Sequence, residues 1–362
     1  MLATKGGRAL SESENLSERK KKILINSIND YIQSAVPITS AFVKENYLKD
    51  ISTATLRNEL NALEAMGYLK QLHTSSGRVP TTKAYRYYVD EVLKDIKFKN
   101  NQLDIVKSEF SSRANNLSNI IENVAKTISK ATNYPTVVVM NNLQKLIIEE
   151  IKIIPLIDFS ALLLIQTNGG VINNNIGAES VNSEEDYINA AKILNEKFKN
   201  QSIAYMIENI ENAATETTSL IEEYKEIFES VILTLKQVSQ SVKQGGVTKL
   251  LNCPEYNSVE KAQEIFSLIE DESKIKQVVS CDEDGISISI GSENEEESLK
   301  ECSVVKAPIQ VDGETVASIG VIGPKRMDYA MIAGAISYVK SELNKQNLLE
   351  GKKGESNVKK ED

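Results

Sequence analysis

The sequence predicts a multidomain α+β protein: an N-terminal winged helix-turn-helix, then a sheet domain split by a mainly helical insertion. Three observations predict it. Residues 17–66 hold three short stretches of helical apolar periodicity, and two β-prone runs around a Thr-Ser-Ser-Gly turn follow directly. Aliphatic and β-branched runs then cluster twice, at 136–176 and 286–321, with helical periodicity between the clusters. Charge is also uneven, with 13 Lys+Arg against 9 Asp+Glu in residues 1–90, a net of +4, while the other 272 residues carry a net of −13. A basic head on an acidic body favours one defined docking face for a polyanion.

Each element has its own signal. Ser17 can cap a first helix whose Leu24, Ile28, Tyr31 and Ile32 share one face, and Val36-Pro37 ends it because a residue before proline is pushed out of the helical region. A second helix starts near Thr39, with Phe42, Val43 and Tyr47 inward. The third is capped by Ser52 or Thr53, carries Leu56, Leu60 and Leu63 as an apolar stripe, and stops at Gly67. Residues 68–72 and 78–80 read as strands around a flexible tip.

Helical periodicity resumes over 82–94 and 103–131, where Tyr134-Pro135 ends it. Strand signals cover 136–140, 146–155, 161–166 and 171–176, helices cover about 179–241, and Gly245-Gly246 reads as a turn. A short apolar piece at 247–251, a helix at 262–269, strands at 286–290 and across 304–321 with an Asp312-Gly313 hairpin turn, and a helix at 329–343 complete the chain. The first ~15 residues and the tail from about Gln346 are polar and are expected to be disordered.

Composition narrows the chemistry. No run approaches the ~18 apolar residues of a membrane helix, and no apolar signal-peptide core opens the chain, so a cytoplasmic protein is expected. Three widely spaced cysteines are too few for a disulfide framework and fit a reducing compartment. With one histidine, no Cys-x-x-Cys pair, no phosphate-binding G-x-x-x-x-G-K-[ST] loop and no dinucleotide fingerprint, neither an enzyme nor a metal or other cofactor is expected. Cys281 and Cys302 read as small hydrophobes, and the acidic runs at 282–284 and 295–297 as solvated loops.

The third helix and the hairpin carry the functional expectation. At ~100° per residue Ala54, Arg57, Asn58 and Asn61 fall opposite the leucine stripe. A major groove admits a helix, and Arg and Asn can each make paired hydrogen bonds to a base edge. Arg57, Asn58 and Asn61 are therefore the candidate base readers. Thr53, Thr55, Lys70 and Arg78 are candidate phosphate contacts, with His73, Ser75 and Ser76 at the wing tip along the backbone or minor groove. The same polar face would also suit a solvated helix in a protein-interaction domain.

Two separate signatures resemble one known family. The runs S-T-A-T-L-R-N-E-L at 52–60, L-E-A-M-G-Y-L at 63–69 and H-T-S-S-G-R-V-P-T at 73–81 are similar to the heat-inducible transcription repressor HrcA, as is G-V-I-G-P-K-R-M-D-Y at 320–329. The likeness spans roughly 16–343 and is weakest at about 180–265. It implies a dimeric repressor of double-stranded inverted-repeat operators ahead of chaperone operons, whose activity the chaperonin supports and heat reduces. It also implies a GAF-like sheet domain and an inserted dimerising domain. The expected boundaries are 1–15 tail, 16–82 winged helix, 83–101 helical linker, 102–178 and 269–345 GAF-like halves, 179–268 insertion and 346–362 tail. A small-molecule-responsive winged-helix regulator, with the GAF-like domain as sensor, is the alternative.

Overall fold

The computed structural model describes residues 16–71, 77–92, 104–109, 117–156, 160–177, 183–215, 221–239, 241–311 and 313–355. The architecture is mixed α+β. Helix α1 (Glu18–Ser34) is capped by the Ser17 hydroxyl, which accepts from the Lys20 amide at 3.4 Å, and ends at Ala35 in a left-handed conformation. Helix α2 (Ser40–Asn46) is capped by Thr39, and α3 (Thr53–Ala65) by Ser52. Strands β1 (Leu69–Gln71) and β2 (Arg78–Pro80) pair antiparallel, with Leu69 opposite Pro80 and Gln71 opposite Arg78. The Arg78 backbone also bridges to Ile38, tying the hairpin to the segment before α2.

Helix α4 (Thr82–Val92) buries Ala84, Tyr85, Tyr88 and Val89, and the Tyr88 hydroxyl donates to Asn29 Oδ1 of α1 at 2.5 Å. The stretch expected as a helical linker begins within this packed helix. Helices α5 (Asp104–Glu109) and α6 (Leu117–Thr132) occupy the next stretch. Strand β3 (Thr136–Met140) follows, and all five of its residues are buried.

The strands after β3 depart from the expectation of a single interrupted sheet. Strands β4 (Ile148–Pro155), β5 (Ser160–Thr167) and β6 (Gly170–Gly177) form their own antiparallel meander. Helices α7 (Glu184–Phe198), α8 (Ile203–Thr215) and α9 (Ile221–Ser239) pack with it, α7 against β4 and α9 against β6. The chain returns as β7 (Val242–Gly245), which pairs with β3. Thus the excursion from the main sheet starts before residue 178 and ends before 268. Pattern alone could not place it, because an apolar strand reports that it is buried but not which neighbour it joins.

Helices α10 (Val259–Glu270) and α11 (Glu272–Val279), strands β8 (Ser287–Ile290), β9 (Cys302–Val311) and β10 (Glu314–Pro324), and helix α12 (Tyr329–Glu355) complete the chain. The main sheet has the order β7-β3-β10-β9-β8, antiparallel throughout. It is covered on both faces: Val138, Ile319 and Val321 join the larger core with Ile128 of α6 and Ile336 of α12, while Val137, Val139 and Ile322 pack with Ile265, Ile269 and Ile275 of α10 and α11. Helix α12 continues past Leu343 through the stretch expected as a disordered tail, and residues 356–362 lie outside the described set. Polar composition set that expectation, yet Leu, Glu, Lys, Asn and Gln are all tolerated within a helix. Among the described residues no helix is long and apolar enough to cross a membrane, and no group of His, Cys, Asp and Glu is arranged to hold a metal ion.

Candidate nucleic-acid interface

The face of α3 is set by its cap and its stripe. The Ser52 hydroxyl accepts from the Thr55 amide at 3.1 Å and lies 2.8 Å from the Thr55 hydroxyl, fixing where the helix begins. Leu56, Leu60 and Leu63 are fully buried against the head core. Gly67 takes φ +78°, a left-handed turn that a side chain would strain, and Lys83 donates to the Met66 carbonyl at 2.9 Å beside it. With that side anchored, Ala54, Arg57, Asn58 and Asn61 are exposed together, Thr53 and Thr55 are half-buried at the helix start, and Lys70 is exposed on β1. Among the described residues neither the Arg57 nor the Asn58 side chain has a hydrogen-bond partner.

Arg78 is placed differently from the other candidates. Its side chain is only 12% exposed. Nε donates to Glu64 Oε2 at 2.8 Å and Nη2 donates to the Asn61 carboxamide oxygen. Glu64 Oε1 also accepts from the Gln71 amide at 3.2 Å, so one carboxylate of α3 holds both strands of the hairpin. His73, Ser75 and Ser76 lie outside the described residues.

Glu59 and Glu64 were not expected to matter. Glu59 faces inward beside the leucines, with its side chain 7% exposed, and accepts from Arg19 and Lys20 of α1. Burial acts to raise its pKa, but the hydrogen bonds from Lys20 and Arg19 outweigh that and hold the carboxyl below the ordinary glutamate range. The sequence did carry a signal: position 59 shares the helical face of 56, 60 and 63, where a charge needs a partner.

Two arginines attach this head to the body. Arg86 of α4 donates from Nε to Glu293 Oε1 at 2.9 Å and from Nη2 to the Ile288 carbonyl at 2.6 Å. Arg326, just before α12, donates to both carboxylate oxygens of Glu255, at 2.5 and 3.2 Å, and to the Ile32 carbonyl of α1 at 3.1 Å. A cavity of about 780 Å³ lies at this junction, bordered by Tyr31, Tyr85, Lys261, Cys302 and Arg326.

Known proteins give the wider context. A family model described as the HrcA protein C-terminal domain matches residues 118–332. A "Heat-inducible transcription repressor HrcA" of Acetivibrio thermocellus is 33% identical over 337 residues, covering 91% of this chain and 95% of that protein. A protein of the same description from a Thermoanaerobacter species is 33% identical over 342 residues, covering 92% and 97%. A crystal structure described only as that of a hypothetical protein is similar in fold, with a TM-score of 0.72 at 20% identity over 91% of this chain and 98% of that one.

Proposed function

This chain belongs to the HrcA family, whose relatives are described as heat-inducible transcription repressors, and from that premise we propose that it represses chaperone operons by binding an inverted-repeat operator as a dimer. The observation that carries this reading is the anchored α3, with Ala54, Arg57, Asn58 and Asn61 exposed together beside a two-stranded hairpin. Residues 16–82 then act as a winged helix: α3 enters the major groove, Arg57, Asn58 and Asn61 face base edges, and Thr53, Thr55 and Lys70 hold phosphates. The wing tip, with His73, Ser75 and Ser76, lies along the backbone or minor groove. The main sheet with its covering helices is the GAF-like domain, and the unit from β4 to α9 is the dimerising insertion.

Exposed Ile154 of β4 and Ile188 of α7, which border one apolar groove with Ile151 and Ile153, support the dimer, because contiguous apolar surface marks an interaction face. Doubling the half-site lets a small head reach useful affinity. Heat then depletes the operator-competent population, and the chaperonin replenishes it. No catalytic role is proposed for any residue.

A gel-shift titration with promoter DNA of chaperone operons tests the reading. Binding should weaken steeply with salt, because Lys and Arg displace counterions. Arg57→Ala should cost about 1–3 kcal/mol of operator binding while leaving non-specific binding largely intact. Equal binding to operator and scrambled duplex would reject operator recognition. Sedimentation of the wild type against Ile188→Glu tests the dimer, with a monomer expected only for the variant. The junction cavity favours a second reading, in which a small molecule shifts the seating of the head. A metabolite thermal-shift screen, followed by gel shifts at constant temperature, would reveal it.

A further inference from the structure

Arg78 lies on the wing, but its guanidinium points into α3 rather than out to solvent, and its side-chain partners among the described residues, Glu64 and Asn61, are both on that helix. A guanidinium has donors only. The atom of Asn61 that faces it must therefore be the carboxamide oxygen, which removes the usual ambiguity about which way an amide is turned. The Asn61 NH2 is left on the far side of an exposed side chain, with no partner among the described residues. Glu64 holds Arg78 from behind, and the Gln71 amide holds Glu64 in turn.

We propose that Arg78 is a positioning residue for base recognition, acting through Asn61. It fixes the Asn61 carboxamide with the oxygen toward the wing and the NH2 toward the groove, so this position selects a base edge that offers a hydrogen-bond acceptor. The inference rests on the reading that α3 enters the major groove and deepens it by assigning one element of specificity. Purine N7, guanine O6 and thymine O4 are the acceptors an outward NH2 can meet there, whereas the cytosine N4 amino group is a donor and is refused. Holding the amide before DNA arrives also removes part of the ordering cost of binding. The Arg78 charge, already shared with Glu64, is then not spent on a phosphate.

The test uses the full chain. A random duplex pool selected with the wild type defines the preferred site, and a panel with every base pair of that site substituted singly is titrated with wild type, Asn61→Ala, Asn61→Asp, Arg78→Met, Arg78→Lys and the Asn61→Ala/Arg78→Met double variant. Asn61→Ala and Arg78→Met should each lose about five- to tenfold of discrimination, at the same base pair of each half-site. The double variant should lose no more than either single one. Asn61→Asp keeps the bond to Arg78 but has no donor, and should lose discrimination as Asn61→Ala does. Arg78→Lys keeps a donor and should retain part of it.

The salt dependence of Arg78→Met should match the wild type. A uniform loss across the panel, with the salt slope reduced by about one, would overturn the proposal and return Arg78 to the phosphates. Additive losses in the double variant would overturn it as well. Arg57→Ala separates the two failures: if Arg57→Ala and Asn61→Ala both leave the selected site unchanged, the groove reading itself falls. If only the Arg78 variants leave the Asn61-read base pair untouched, this inference alone falls. Should Arg78→Met not fold, Arg78→Lys and Asn61→Asp decide the matter.

Discussion

Replacing Glu59 by Gln probes what keeps α3 in place. The carboxylate is 7% exposed, and its partners Arg19 and Lys20 are 50% and 25% exposed. The half-exposed guanidinium is screened by water and is worth less than about 1 kcal/mol, while the better-covered ammonium bond falls near the lower end of the ~1.5–3 kcal/mol range for charged hydrogen bonds. Glutamine keeps one neutral acceptor and recovers part of this, so the expected cost is about 1–2 kcal/mol. The chain has several units, so a single global unfolding energy is a poor measure. Hydrogen exchange of α3 peptides is better, and it should speed up by about five- to thirtyfold at pH 7 with β9 and β10 unchanged. Because the Glu59 pKa is lowered in the folded head, its stabilisation is complete above the unfolded glutamate value of about 4.3 and is lost as pH falls through the lower folded value. The gap between wild type and variant should therefore close in acid. Equal exchange at pH 7, or a gap that does not narrow as the solution is acidified, would refute the reasoning.

Other substitutions test other joints. Gly245→Ala would place a Cβ 2.5 Å from the Ala125 carbonyl oxygen of α6 and should cost about 1–3 kcal/mol in thermal unfolding, whereas Gly177→Ala, with open space around it, should be close to neutral. Arg86→Met leaves Glu293 and the Ile288 carbonyl without this donor, and should accelerate exchange in α4 and residues 287–293 together by about 1–3 kcal/mol while α10 is unchanged. Burial pushes the Cys302 thiol up to about 11, and its sulfur lies 3.2 Å from the Tyr256 hydroxyl. Alkylation at pH 8 should therefore modify half-buried Cys281 well before Cys302, as mass spectrometry of the peptides will show.

What the sequence could reveal followed the range of each interaction. The α3 stripe, its Ser52 cap and its Gly67 stop are local signals, and the helix lies where they put it. Strands β3, β5, β6 and β9–β10 also stand close to their apolar runs. Strand β7 was missed because four residues reading Val-Lys-Gln-Gly have no clear period, and Gly245 looked like half of a turn. Its glycine instead answers the close approach of α6, a contact between residues 120 positions apart. Helix α11 also escapes the apolar pattern, although Asp271 caps it by accepting from the Ser273 and Lys274 amides. At the interface, the outward side of α3 follows from helical geometry alone. The inward turn of Arg78 does not, because it depends on how the hairpin folds back over Glu64 and Asn61.

The way the chain leaves and re-enters the main sheet has an evolutionary corollary. Val139 stands opposite Val242, and the Met140 amide donates to the Ser241 carbonyl at 3.2 Å, so the roughly hundred residues between them begin and end side by side. Such a segment can be spliced in or excised at a hairpin tip without re-threading any other strand. An ancestor with a tight turn there would have kept the five-stranded scaffold and the three-helix head, and acquired the unit from β4 to α9 later as a cassette.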